Sequence, residues 1–127
     1  MAQGLARNEI LYAMHHLNNY VKEVLLRMLE WEAGLRTGFK VSVGKHHKYL
    51  DQYIPIGQWR KLLSTYNTME IEECWNALFA ACDLFREVAR YVGHELKYTY
   101  PEKDDTRVTS YLKSVREAGP TAKLPLV

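Results

Sequence analysis

A chain of 127 residues, 47% hydrophobic and 25% charged, has room for one domain with a real core and little for a second. Seventeen Lys and Arg against 15 Asp and Glu are too evenly balanced for nucleic acid or an anionic membrane surface to be the main partner. No apolar run nears the ~20 residues of a bilayer span, and Met1-Ala2-Gln3-Gly4 lacks the regions of a signal peptide, so the cytoplasm is the expected compartment.

From Ile10, the residues Met14, Leu17, Val21, Val24, Met28, Trp31 and Leu35 follow in steps of four and three. That rhythm predicts one long helix whose seam packs lengthwise on a neighbour. Phe39 to Val43 alternates over strand length but is short and bracketed by Gly38 and Gly44, which predicts a structured loop, with an extended hairpin arm as the other form. Further helix is expected over about residues 45–54 and 57–66, separated by Pro55, which cannot donate to the helix before it.

The rhythm returns in Ile71, Trp75, Leu78, Cys82, Phe85, Ala89, Val92 and Leu96, the expected mate of the first helix. Cys74 and Cys82 lie about 12 Å apart along it, too far for a disulfide, and read as inert packing residues. A last helix is expected from Asp104 or Asp105, whose carboxylates suit an N-terminus, to a stop before Gly119-Pro120. The fold predicted is all-α, an up-and-down bundle of four to five helices with a glycine-flanked basic loop after the first long helix. Residues 1–118 form the domain and 119–127 a tail.

Residues 36–61 carry Arg36, Lys40, Lys45, Lys48, Arg60 and Lys61 against the single acid Asp51, with His46 and His47 beside them. Glycines, hydroxyls and lysines before a helix start let backbone N–H and ammonium groups meet phosphate, so an anionic ligand is the physical expectation. Gly38 and Gly44 equally serve as a helix stop and a turn, with the lysines a solvated face. Gly44-Lys45-His46 does not fit the Gly-x-x-x-x-Gly-Lys-Ser/Thr phosphate loop.

Gly4 to Leu11, Leu25 to Trp31, Thr37 to Lys45, Lys48-Tyr49 and Leu78 to Arg86, in that order, resemble the aminoglycoside 6-adenylyltransferases (streptomycin adenylyltransferases) over roughly residues 4–116. The resemblance implies the C-terminal helical domain of a two-domain enzyme. The N-terminal nucleotidyltransferase domain, with its Gly-Ser-Arg type turn and Asp-x-Asp metal pair, has no counterpart here. No Gly-Ser dipeptide occurs, and the acidic pair Asp104-Asp105 is contiguous. Without carboxylates for magnesium and a base for the attacking hydroxyl, this chain alone is expected to be inactive.

By resemblance, ATP and magnesium serve the complete enzyme, and ATP and the aminoglycoside lie between its domains. Lys45, with Ser42, Gly44 and Lys48, would meet the triphosphate, and Tyr91 matches a tyrosine of a late helix near the nucleotide. A polycationic drug calls for carboxylate and flat aromatic surface, for which Glu9 and Trp31 are the candidates. Glu9 is also a favourable helix-start acid, and Trp31 a member of the seam.

The adjacent pairs His15-His16 and His46-His47 point to different sides of a helix, so no metal site is expected. Two other readings remain. Arg90-Tyr91-Val92-Gly93-His94 resembles the Arg-x(4–6)-His motif of HEPN-like helical RNases that partner minimal nucleotidyltransferases, but three residues intervene here and seven from Arg86. The second is a self-associating interaction module, a homodimer formed through uncovered apolar surface.

Overall fold

The computed structural model describes residues 1–119, so that the expected tail lies outside the described residues except for Gly119. The described residues are helical, with no strand among them, and no helix is long and apolar enough to cross a membrane. A short α1 (Ala2–Ala6), not foreseen in the sequence, turns through Asn8 at positive φ into α2 (Ile10–His16). The Glu9 N–H donates to the Gly4 carbonyl at 2.7 Å, closing that turn.

The long helix is real but carries a defect. A π-helical turn, Leu17–Val21, joins α2 to α3 (Lys22–Thr37), with right-handed helical φ/ψ on both sides. The Asn19 side chain donates to the His15 carbonyl at 3.1 Å, inside the widened turn. A π-turn holds one residue more than an α-turn, so every later residue is set back by about 100°. This corrects the expected seam. Leu25, Leu29 and Ala33 take the core, whereas Val24 and Trp31 stand about half exposed, at 51% and 46%.

After α3 the chain makes two 3-10 turns, Lys45–His47 and Leu50–Gln52, in place of the α-helix expected over 45–54. Gly44, His46 and His47 all have positive φ, which an α-helix does not accommodate. Leu50 and Ile54 are nevertheless buried and tie the segment to the core. Pro55 precedes α4 (Ile56–Leu63). That helix stops short of 66 because the Ser64 and Thr65 hydroxyls donate back to the Lys61 and Leu62 carbonyls at 2.6 and 2.7 Å.

The central element is α5 (Ile71–Leu96). Its expected stripe is largely buried at Trp75, Leu78, Ala89 and Val92, and a second line, Cys74, Ala77, Ala81, Leu84 and Val88, widens the strip. One half of the core gathers Leu25, Leu29, Leu50, Leu62, Leu84 and Val88; the other gathers Leu5, Met14, Leu17, Cys74, Trp75 and Leu78. Lys97 ends α5 in the left-handed conformation, and Tyr98 N–H donates to the Gly93 carbonyl at 2.7 Å.

The last helix, α6 (Glu102–Ala118), starts two residues before the expected Asp104 and returns along α5 with no fully buried residue. Ion pairs hold it: Arg90 to Glu102 at 2.6 Å near its start and Arg116 to Glu72 at 2.8 Å near its end. Between them Arg86 grips Asp105, which also accepts hydrogen bonds from Tyr100 at 2.6 Å and Thr109 at 3.0 Å. Arg86 foremost, with Tyr100 and Thr109, holds the Asp105 carboxyl well below the usual carboxylate range. Burial, followed by the bond to Asp105, pushes the Tyr100 phenol up to about 12.

Candidate functional site

The basic loop begins where α3 ends. Gly38 takes the left-handed conformation (φ 67°), and its N–H and that of Phe39 both turn back to the Gly34 carbonyl. The Phe39 ring then lies over Gly34 so closely that a Cβ there would sit 2.2 Å from a ring carbon. A glycine in the last turn of α3 is therefore what allows the loop to fold back on the helix.

At the other glycine the backbone turns again. Gly44 has φ 81°, and a Cβ on it would come within 2.6 Å of the Tyr49 ring. Its N–H donates to the Ser42 hydroxyl at 3.0 Å. The amides of His47, Lys48 and Tyr49 donate to the carbonyls of Gly44, Lys45 and Val43. Those amides are spent within the turn, so an anion here would meet ammonium groups rather than them. The His47 ring reaches Glu30 of α3 at 2.7 Å and pins the turn to the helix.

Between turn and helix is a cleft of about 410 Å³, lined by Glu30, Trp31, Gly34, Phe39, Ser42 and Gly44. Ser42, Gly44 and Trp31 thus come together. Lys45 starts the adjoining 3-10 turn, exposed, and Lys48 is exposed with its ammonium 5.0 Å from the Tyr49 ring centre. Among the described residues neither lysine has a carboxylate partner.

Tyr91 and Glu9 stand apart from this cleft. Tyr91 is partly buried under the Arg36 guanidinium, 4.4 Å from its ring centre. Arg36 in turn donates to Glu32 at 3.0 Å, and Gln58 of α4 donates to the same oxygen at 2.8 Å. Glu32 is fully buried, and its second oxygen and the Gln58 carbonyl oxygen have no protein partner. Glu9 precedes α2, at the far end of a helical rod whose 28 residues, Ile10 to Thr37, span about 42 Å.

The remaining sequence candidates resolve differently. Arg90 is engaged with Glu102 while His94 is almost wholly exposed, so the RNase-like pair does not form a common pocket. Asp105 is consumed by Arg86, Tyr100 and Thr109, and Asp104 faces solvent. Among the described residues no three His, Cys, Asp or Glu side chains converge to hold a metal ion. Burial pushes the Cys74 and Cys82 thiols up, away from the reactive thiolate. Glu30, His47, Glu32 and Gln58 were not candidates from sequence; their pairing spans 17 and 26 residues, beyond the reach of local spacing.

Comparison with known proteins bears on the same region. The model of a family described as streptomycin adenylyltransferase matches residues 1–115. An aminoglycoside 6-adenylyltransferase of Bacillus subtilis is 38% identical over 115 residues, 91% of this chain and 40% of the relative. One from Campylobacter jejuni is 39% identical over 112 residues, 88% of this chain and 38% of the relative. A crystal structure of an aminoglycoside 6-adenyltransferase from Bacillus subtilis superposes with a TM-score of 0.80 at 38% identity, covering 91% of this chain and 43% of that one. The chain thus spans about two fifths of the length of the relatives it matches.

Proposed function

The chain belongs to the streptomycin adenylyltransferase family, and from that premise we propose that it is the helical portion of an aminoglycoside 6-adenylyltransferase, one that helps bind the ATP phosphates and the aminoglycoside. The catalytic carboxylates and their magnesium belong, on this reading, to the N-terminal nucleotidyltransferase portion. Among the described residues no cluster of carboxylates fits a magnesium site, and no step of transfer is assigned to them.

One observation carries the proposal: exposed Lys45 and Lys48, without a carboxylate partner among the described residues, flank a glycine-shaped turn held against α3 beside an open cleft. Their ammonium groups would offset triphosphate charge, a charge-assisted bond contributing about 1.5–3 kcal/mol. Trp31 offers the aminoglycoside a flat wall, and the neighbouring Glu30 offers the carboxylate that Glu9, at the far end of the rod, does not bring to this cleft. Alone, the chain should bind ATP or streptomycin weakly, because half of each pocket is elsewhere.

The test mixes this chain with a separately produced nucleotidyltransferase portion of the Bacillus subtilis relative and follows AMP transfer to streptomycin. Activity should appear only in the mixture, and Lys45→Ala should lower kcat/KM by about ten- to a hundredfold, the loss of one such bond. Activity in the mixture with Lys45→Ala silent would retain the family role and remove the phosphate site.

A further inference from the structure

The apolar stripe that the π-turn sets off the core floors a furrow. Val21, Val24, Phe85, Pro101 and Val108 line a groove of about 440 Å³ between α3, α5 and the start of α6. Through shared walls at Ala89, Tyr100 and Pro101 it runs into a second, of about 340 Å³, bounded by Met28, Trp31 and Tyr98. Charge is confined to its borders, Arg27 at one and Asp104 with Asp105 at the other. Val24, Trp31, Tyr98 and Val108 are 51, 46, 73 and 55% exposed, a contiguous apolar run of the kind that marks an interaction surface.

Resting on the proposed function, we propose that this furrow seats the part of the relatives' polypeptide that this chain does not span, through an apolar ridge of that part laid along α3. Three observations select this occupant. The Bacillus subtilis relative has only 40% of its length matched here, leaving most of its polypeptide to be placed against this domain. The furrow opens through Trp31 onto the cleft of Glu30, Ser42 and Gly44, so a segment seated in it arrives at the candidate ligand site. Its nearly uncharged walls suit a protein ridge better than a polycation, which needs carboxylates along its length. Arg27 and Asp104 set the ridge's orientation, an acid of the partner facing the first and a base the second.

The experiment titrates the separately produced remaining portion of the Bacillus subtilis relative into this chain and reads association by calorimetry, with acrylamide quenching of Trp31 as a local probe. Val24→Asp and Val108→Asp, both on exposed positions of different helices, should each weaken association at least tenfold while leaving the thermal melt of the free chain unchanged. Leu11→Asp, on an exposed position outside the furrow, should leave association unchanged, and docking should shield Trp31. Absence of association overturns the proposal. So does association that the two Asp variants leave intact, or a parent chain that dimerises by sedimentation until Val24→Asp is introduced, since the occupant is then a second copy. Groove-dependent association without AMP transfer would retain the docking surface and sink the enzymatic reading; AMP transfer indifferent to both variants would do the reverse.

Discussion

The π-turn makes a sharp prediction about deletions. Asn19 is exposed and its side chain bonds to His15, whose carbonyl the widened turn leaves for it. Removing Asn19 takes the extra residue out, so that Met14 and Leu17 upstream and Leu25 and Leu29 downstream keep the faces they now bury. The lost side-chain bond, about 1 kcal/mol, is offset by a regained backbone bond of similar size, and stability should change by less than about 1 kcal/mol. Removing Arg27, also exposed, cannot be absorbed in this way. If the π-turn persists, Leu29 rotates off the core by about 100°; if it is lost, Leu25 does. Either leucine is fully buried, and its loss should cost about 2–5 kcal/mol, much of the stability of a domain this size. Urea unfolding followed by far-UV circular dichroism compares the two deletions directly. Equal destabilisation, or a more stable Arg27 deletion, would refute the phase argument.

Four other expectations follow from the same structure. Glu32→Ala should cost about 1–3 kcal/mol in urea unfolding, because it strips Arg36 and buried Gln58 of their shared acceptor; Gln58→Ala should cost less. Asp105, with its folded pKa depressed, contributes stability that is full above about pH 4 and lost as pH falls toward the folded value, so Asp105→Asn should flatten the acid limb of a Tm–pH profile. Tyr100, raised to about 12, contributes stability that is full below the ordinary tyrosine pKa and lost as pH climbs through about 12; Tyr100→Phe should flatten the alkaline limb of the same profile. Gly44→Ala meets both a positive φ and the Tyr49 ring and should destabilise by about 1–3 kcal/mol in thermal melts.

The long helices were legible; α1, the two 3-10 turns and the phase of α3 were not. The α5 stripe was read correctly because nothing interrupts its 3.6-residue rhythm from Trp75 to Val92. The same rule failed in α3, because Leu17-Asn18-Asn19-Tyr20-Val21 contains no Gly or Pro to announce a π-turn. The loop was placed by Gly38 and Gly44, both at positive φ and the second closed over by the Tyr49 ring, whereas Gly34, on which the Phe39 ring lies, was not singled out. Its anchor was not, since Glu30 looks like any acid on a polar helix face until His47 is seen beside it. Asp105 was read as a helix-start acid, which it is, but its grip by Arg86 depends on α6 returning along α5, a tertiary fact.

The failed phase is also where the candidate site lies. A regular helix through residues 10–37 would turn Val24, Met28, Trp31 and Leu35 toward α5 and leave Glu32 on an outer face, a core with more apolar area and no carboxylate. The chain instead accepts a π-turn and a fully buried Glu32, whose cost is offset by Arg36 and Gln58. What the exchange yields is outward placement of Glu30 and Trp31, the pair that walls the loop cleft, and a small surface at Ala33-Gly34 on which Phe39 closes. Departures from the most stable local pattern concentrate where a fold holds a site. The phase of α3 is thus the physical link between this sequence and the cleft through which it is proposed to act.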